Sequence, residues 1–160
     1  DASLKKWNSM IGKLDKCDPT KYIRNFWNAT QSFTREKALY RAINKSITVP
    51  RKTKELLNNL DELSLYYHDM VVPSESSLFD DDLKRIFLAL KTLKASSFYP
   101  VVLAMKKQNY NDNDLCDVLK KIECYVFRNF TICGKTANSA ETYFAEIAKS
   151  IFDENLKDID

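Results

Sequence analysis

The 160-residue chain is predicted to fold as an all-α domain, and three observations carry that prediction. Only two glycines, Gly12 and Gly134, are present, so the tight turns of β-hairpins have little support. Apolar residues recur every three or four positions over most of the chain, which is the spacing of one helix face. Hydrophobic residues make up 44% and charged residues 29%, ordinary usage for a globular domain. We therefore expect one domain, residues 1–160, of about eight helices joined by short loops.

The composition also excludes several classes of function. Two glycines cannot build the glycine-rich loops of nucleotide-binding proteins, and nothing points to a cofactor or a small-molecule substrate. The longest apolar run falls far short of the roughly 20 residues that a membrane span needs. We therefore expect no membrane partner and a cytoplasmic location. The chain opens with "DASLKKW" and no methionine, so we interpret it as a piece of a longer multidomain protein.

The first half of the chain predicts four helices. The first is "ASLKKWNSMIGKL"; Asp18 and Pro19 then form an N-cap and first helical residue for "TKYIRNFWNATQ". Thr34 is predicted to cap "REKALYRAINKSI". The fourth helix runs through "TKELLNNLDELSLYYHDM" and stops before Pro73, and the best internal boundary lies near residues 71–79. The apolar residues that this spacing places on the inner faces of the first and fourth helices are Leu4, Trp7, Met10, Ile11, Leu14, Leu56, Leu60, Leu63 and Tyr67.

The second half predicts four more helices. Three aspartates from Asp80 favour a helix N-terminus through the helix dipole, and "LKRIFLALKTLKA" follows them. Pro100 is tolerated in the first turn of "FYPVVLAMKKQ", and "YNDND" caps the seventh helix. The last helix is predicted to begin at Asn138, with Glu141 three residues later as in a capping box. It is expected to bury Phe144, Ile147, Ala148 and Ile151.

The stretch "IECYVFRNFTICGK", residues 122–135, is rich in the β-branched and aromatic residues that favour strands. The apolar residues from Leu115 onward nevertheless keep a three-to-four spacing, which predicts a helix buried on much of its circumference. Gly134 is placed to end that helix in a left-handed conformation. Arg128 on this helix needs a partner or solvent. We predict a structural ion pair with a neighbouring carboxylate, with contact to phosphate as the alternative.

The cysteines and the single histidine give no catalytic or metal-binding pattern. Cys124 and Cys133 would lie about 13 Å apart along a helix and on opposite sides of it, so they cannot share a metal or a disulfide. All four cysteines are predicted to be small buried free thiols in a reducing compartment, although one of them could still bridge to Cys17. His68 is predicted to contact Asp69 or backbone carbonyls. We predict no catalytic residues and no metal ligands.

Positive charge is concentrated in the first part of the chain. Residues 1–60 carry 13 Lys and Arg against 5 Asp and Glu, whereas residues 61–160 carry 12 against 17. Such a surface can bind phosphates, form a solvated face or dock onto an acidic domain, and the sequence leaves these readings open. The residues that we predict for contact with nucleic acid are Lys13, Lys16, Lys21, Arg24, Arg35, Lys37, Arg41, Lys45, Arg51, Lys52 and Lys54.

A family resemblance extends over nearly the whole chain. The blocks "YIRNFW", "TREKALYRAINKSI", "LNNLDELSLYYHDMVVP", "FYPVVLAMKKQ" and "IECYVFRNFTICGKTANSAETYFAEIAKSIF" resemble the helical middle region of GmrSD-like restriction endonucleases, with domains of unknown function 262 and 1524. The last block is the most specific. In that family a helix ends in Val/Phe-Arg-Arg, with Cys-Gly a few residues on. Arg128 fits the first arginine, and Asn129 replaces the second.

The resemblance implies flanking domains with the active chemistry. One is an N-terminal ParB-like domain with an Asp-Gly-Gln-Gln-Arg motif tied to nucleotide use, and the other is a C-terminal HNH nuclease domain. Proteins of this family cleave modified foreign DNA in defence. Neither motif occurs in these 160 residues. We therefore expect a non-catalytic scaffold between the two domains that adds sequence-independent DNA contacts. The alternative is a helical protein–protein interaction module or effector-like protein with no role on nucleic acid.

Overall fold

The computed structural model describes residues 2–135 and 140–153, and it confirms the prediction of a single all-α domain with short loops. A short 3₁₀ turn, Pro73–Glu75, and a π-helical segment, Phe127–Ile132, accompany the α-helices. No helix within these two ranges is long and apolar enough to cross a membrane. The eight α-helices of the described residues are α1 (Ala2–Leu14), α2 (Pro19–Thr30), α3 (Glu36–Ser46), α4 (Pro50–Val71), α5 (Asp81–Thr92), α6 (Tyr99–Lys107), α7 (Asp112–Val126) and α8 (Glu141–Phe152).

Helix α6 forms the centre of the fold. Seven of its nine residues, Tyr99 to Met105, are buried, as expected for a short helix that is apolar on all sides. It packs against α8, α2 and α4, while α1 lies along α4 and α5 packs on α7. One hydrophobic core includes residues from before and after the loop at 72–79. The helices on either side of that loop therefore share their apolar interior.

Several helix starts follow the predicted chemistry. Asp18 accepts a hydrogen bond from the amide of Thr20 at 2.8 Å, and Asp80 accepts one from the amide of Leu83 at 2.9 Å. Asn111 caps α7 in the same way. Each side chain satisfies an amide that the first helical turn leaves without an intrahelical acceptor. The predicted N-caps at Asp18 and Asp80 and in "YNDND" are confirmed.

The predicted cap at Thr34 is wrong. Helix α3 begins one residue later, with Arg35 as its N-cap and no capping hydrogen bond from a side chain. The Thr34 hydroxyl instead donates backwards to the Ser32 carbonyl at 3.0 Å, and the Thr34 amide donates to Asn28 Oδ1 at 2.8 Å. A tertiary contact from α2 thus replaces the local cap. The predicted start of the last helix at Asn138 lies outside the described residues.

The stretch 122–135 differs from the predicted buried helix. The α-helical conformation ends at Val126, and the π-helical segment that follows has no buried residue. Hydrogen bonds that span five residues, such as Cys133 N–H to the Arg128 carbonyl at 3.0 Å, replace the usual spacing of four. A three-to-four apolar spacing therefore no longer defines one face. Gly134, at φ +63°, follows the segment in the left-handed conformation that was predicted.

Two further predictions of burial are wrong. Leu4 and Trp7 on the first two turns of α1 are exposed, because α1 buries only Met10 and Leu14 of its residues. Of the four cysteines only Cys17 is buried, although all four are free thiols as expected. On α1 the predicted inner stripe therefore holds only for the last turns, whereas Leu60, Leu63 and Tyr67 on α4 are buried as predicted. Small apolar side chains such as cysteine are not restricted to the interior.

Candidate nucleic-acid interface

Ten of the eleven predicted phosphate-binding residues divide into two groups in the structure, and the exposed Lys21 belongs to neither. The first group is held in ion pairs between parts of the chain that are distant in sequence. Lys13 Nζ lies 2.7 Å from Asp61 Oδ1, and Arg24 Nη2 lies 2.8 Å from Glu141 Oε2. A third and looser pair, at 3.9 Å, joins the exposed side chains of Lys16 and Glu75. Lys13 and Arg24 therefore act within the fold and are not free to bind phosphate.

Asp61 is the acceptor around which α1 is fixed to α4. Its side chain accepts hydrogen bonds from Lys13 at 2.7 Å, Lys6 at 3.3 Å and Ser9. Burial alone would raise the pKa of the Asp61 carboxyl. The hydrogen bonds to its ionised form outweigh burial, so the net pKa lies below its ordinary value. Lys13 also donates to the Asp61 main-chain carbonyl at 2.9 Å.

Arg24 connects three parts of the chain. Besides Glu141 on α8, its Nε–H donates to the Thr34 carbonyl at 3.2 Å in the connection between α2 and α3. Its guanidinium carbon lies 5.9 Å from the centre of the Phe33 ring, within range of a cation–π interaction. Because the planar guanidinium makes all three contacts at once, Arg24 positions α2, the following loop and α8.

The second group is exposed and concentrated. Within residues 35–54 there are seven cations and a single carboxylate, Glu36. Lys52 is the only one of the seven whose side chain makes a hydrogen bond to a described residue, from Nζ to the Ser46 carbonyl at 3.5 Å. None of the seven forms an ion pair within the described ranges. We call this group the basic edge; it consists of Arg35, Lys37, Arg41, Lys45, Arg51, Lys52 and Lys54.

On α3 the basic edge forms a stripe. Lys37, Arg41 and Lys45 follow each other at intervals of four residues and therefore lie on one face of the helix. Like charges at this spacing destabilise a helix by about 0.2–0.5 kcal/mol for each pair. The Tyr40 side chain beside them is 78% exposed, and α3 buries only Leu39. Helix α3 thus contributes little to the core and presents a face of repelling cations to solvent.

At the start of α4 the basic edge meets the N-terminus of a long helix. Arg51, Lys52 and Lys54 lie in or next to its first turn, and the Val49 N-cap provides no capping side chain. The helix dipole makes this end positive, so cations here are unfavourable and an anion is favourable. A bound phosphate would relieve the repulsion between the cations and also complement the dipole.

A polar cavity of about 380 Å³ lies beside Lys21 and Arg24. Ser97 contributes a buried hydroxyl without a hydrogen-bond partner in the described structure, and Asn25 donates to the Tyr67 hydroxyl at 3.5 Å. Burial raises the pKa of Tyr99 in the cavity wall to about 12, so its hydroxyl stays protonated at neutral pH. The cavity offers hydrogen-bonding groups and the exposed Lys21 ammonium, but Glu141 neutralises Arg24.

The remaining predicted residues have different outcomes. His68 Nδ1 lies 2.9 Å from Asp69 Oδ1, as predicted. Arg128 is exposed and forms no ion pair with any residue in the described ranges, so the predicted structural ion pair is absent there. Arg128 lies in the π-helical segment, none of whose residues is buried.

The partners of the first group were not predictable from sequence. Lys13 and Asp61 are 48 residues apart, and Arg24 and Glu141 are 117 apart, so no local pattern joins them. The basic edge itself had a local signal, because residues 35–54 have the highest density of unopposed cations in the chain.

In comparisons with known proteins, no family model matches this chain, and no curated protein or solved structure matches it. The GmrSD-like resemblance thus rests on the sequence blocks alone.

Proposed function

We propose that this chain is a non-catalytic helical domain that binds duplex DNA by its phosphates, without sequence preference, through the basic edge. The observation that carries the proposal is the concentration of seven exposed cations, free of ion pairs to described residues, on α3 and the first turns of α4. The fold gains nothing from this arrangement, because the charges repel each other and oppose the dipole of α4. A polyanionic partner removes both penalties.

The dimensions of the basic edge suit a duplex. Lys37 and Lys45 are eight residues apart, which corresponds to about 12 Å along the axis of α3. A duplex carries one charge for about every 1.7 Å of its axis when both strands are counted, so the length of duplex alongside this stripe carries roughly seven phosphate charges. Long Lys and Arg side chains reach phosphates without contacting base edges, so the binding is independent of sequence. The exposed Tyr40 ring supplies an apolar contact to the sugar–phosphate surface.

The resemblance to the GmrSD-like family suggests how this DNA contact serves a longer protein. In this proposal the chain is the scaffold between a ParB-like and an HNH domain of a cytoplasmic defence protein, and it holds both on DNA. The quoted sequence blocks support the family assignment, and the basic edge supports the DNA contact.

A salt titration tests the DNA contact. Fluorescence anisotropy of a labelled duplex of about 20 base pairs, at salt concentrations between about 50 and 200 mM, gives the slope of log K against log salt. We expect a slope between about −3 and −6, since each neutralised phosphate contributes about −0.9. Duplexes of unrelated sequence should bind equally well. Absence of binding at the lowest salt concentration, or an affinity insensitive to salt, would overturn the proposal.

One observation favours protein–protein interaction as a second candidate function. Phe127 and Ile132 on the π-helical segment are 48% and 67% exposed, and Tyr143 on α8 is also exposed. Tyr143 also lines an apolar groove of about 170 Å³ whose lining residues come from α6, α7 and α8. Exposed apolar groups around a groove are typical of interaction sites. Binding of the natural flanking domains in trans, together with no affinity for DNA at low salt, would favour this function.

A further inference from the structure

We propose that Asp15, His68 and Glu75 form a binding site for a divalent transition-metal ion of the Zn²⁺ type. One ligand atom from each residue, two carboxylate oxygens and one imidazole nitrogen, lies within 4.8 Å of the other two. This site is separate from the basic edge and does not depend on DNA binding. Its ligands are 53 and 7 residues apart in sequence, so only the fold brings them together.

Three chain segments converge at this site. Asp15 directly follows α1, His68 lies in the last turn of α4, and Glu75 ends the 3₁₀ turn Pro73–Glu75. Asp15 has φ +48°, a left-handed conformation that aspartate adopts more readily than most residues. A metal ion bound to all three would tie the end of α1 to the end of α4 and to the loop that leads into α5.

The buried imidazole is already oriented for metal binding. His68 is 9% exposed, and its Nδ1 lies 2.9 Å from Oδ1 of the fully buried Asp69 carboxylate. The other oxygen of Asp69 accepts three hydrogen bonds, from Ser76 Oγ at 2.8 Å and from the amides of Ser77 at 2.9 Å and Leu78 at 3.0 Å. The buried Asp69 carboxylate therefore fixes the orientation of the His68 ring through Nδ1.

The contact between Nδ1 and Asp69 leaves Nε2 as the second ring nitrogen of His68. Nε2 makes no hydrogen bond to any residue in the described ranges, so a nine-tenths buried side chain has an unpartnered nitrogen. A histidine whose other ring nitrogen donates to a carboxylate is the usual arrangement of protein metal ligands, because the carboxylate fixes the ring and raises its basicity. In this proposal Nε2 is the ring nitrogen that binds the metal ion together with Asp15 and Glu75.

The donor set selects the class of metal. An imidazole nitrogen with two carboxylate oxygens suits Zn²⁺ and related transition ions, whereas Mg²⁺ and Ca²⁺ prefer oxygen alone. Tetrahedral Zn²⁺ with bonds of about 2.0–2.1 Å needs ligand atoms about 3.4 Å apart, so binding contracts distances of up to 4.8 Å by at most about 1.4 Å. Asp15 and Glu75 are exposed, and Lys16, at 3.9 Å from Glu75, forms only a loose exposed pair.

The experiment uses tag-free protein in which Cys124 and Cys133 are replaced by serine, because exposed thiolates bind Zn²⁺ on their own. Titration calorimetry with ZnCl₂ gives the stoichiometry and Kd. Long-range ¹H–¹⁵N NMR reports on His68 directly, since it is the only histidine. We expect one Zn²⁺ for each chain and a shift of the Nε2 resonance on binding. An unchanged imidazole spectrum at Zn²⁺ concentrations up to about 1 mM would overturn the proposal.

Variants of the two exposed ligands separate this site from adventitious binding without touching the buried imidazole. Asp15→Asn and Glu75→Gln are each expected to weaken Zn²⁺ binding by at least about tenfold. Asp117→Asn and Glu146→Gln remove the same charge at exposed positions on α7 and α8 and should leave Kd unchanged. If all four variants bind Zn²⁺ like the parent, the ion is bound elsewhere and the assigned ligands are wrong.

Discussion

Lys13 on α1 donates twice to Asp61 on α4, to the carboxylate at 2.7 Å and to the main-chain carbonyl at 2.9 Å. The Asp61 side chain is about nine-tenths buried, whereas the Lys13 side chain keeps about a third of its surface exposed. A lysine that the charge pattern assigned to phosphate binding is therefore a structural link between two helices. Removal of its ammonium would leave a buried carboxylate with fewer donors.

Lys13→Met should lower the free energy of unfolding by about 1–2 kcal/mol, because hydrogen bonds to a buried charged group are lost while the aliphatic stem remains. Urea denaturation followed by circular dichroism measures the change. Lys5→Met is the matched control, since Lys5 is an exposed lysine on the same helix. Equal stability of the two variants would contradict the role assigned to the Lys13–Asp61 contact.

The stability should also depend on pH through Asp61. Its folded-state pKa lies below the ordinary value of 3.8, so the unfolded chain takes up this proton first as pH falls. The stabilisation from ionised Asp61 is present above pH 3.8 and is lost as pH falls through the lowered pKa. Unfolding free energies measured between about pH 6 and pH 2 should thus decline more steeply for the native protein than for Asp61→Asn. Parallel curves would show that Asp61 titrates alike in both states.

Arg128→Ala should change the unfolding free energy by no more than about 0.5 kcal/mol, because Arg128 is exposed and forms no ion pair with a described residue. Arg24→Ala is the comparison, and a loss of about 1–3 kcal/mol is expected because Arg24 pairs with Glu141 and binds the Thr34 carbonyl. Chemical denaturation measures the unfolding free energy of both variants. A loss for Arg128→Ala as large as that for Arg24→Ala would support the structural ion pair that was predicted for Arg128 from the sequence.

The four cysteines should differ in reactivity according to their burial. Alkylation of the native protein, followed by peptide mass spectrometry, is expected to modify Cys124 and Cys133 first and Cys116 more slowly. Cys17, at 8% exposure, should react only on the timescale of unfolding. Rapid labelling of Cys17 in native buffer would mean that the end of α1 opens locally. A pair of cysteines resistant to alkylation after denaturation would reveal a disulfide instead.

The sequence predicted the helices well where local chemistry decides them. Asp18, Asp80 and Asn111 cap their helices through hydrogen bonds to amides two or three residues away, so a short window contains all the information needed. The same holds for Gly134, whose positive φ needs no distant partner. The helical class followed from the apolar period and the scarcity of glycine.

Predictions failed where a distant group decides the outcome. Asn28 on α2 holds the Thr34 amide and replaces the predicted local cap. The apolar period in 122–135 did not reveal the π-helical segment, because the change of hydrogen-bond spacing depends on packing. Lys13 and Arg24 were grouped with the other cations because charge density does not show which cations have a carboxylate across the fold. The proximity of Asp15, His68 and Glu75 was missed for the same reason.

The DNA contact is the central claim, and neutralisation of the α3 stripe tests it most directly. One variant carries Lys37→Gln, Arg41→Gln and Lys45→Gln; its matched control carries Lys120→Gln, Lys121→Gln and Lys135→Gln, exposed lysines outside the basic edge. Both lose three charges, so net charge alone cannot separate them. In anisotropy titrations, the slope of log K against log salt should become less negative by about three for the stripe variant. The control should keep the native slope. Equal loss in both, or no loss in either, would contradict the claim that the basic edge binds DNA.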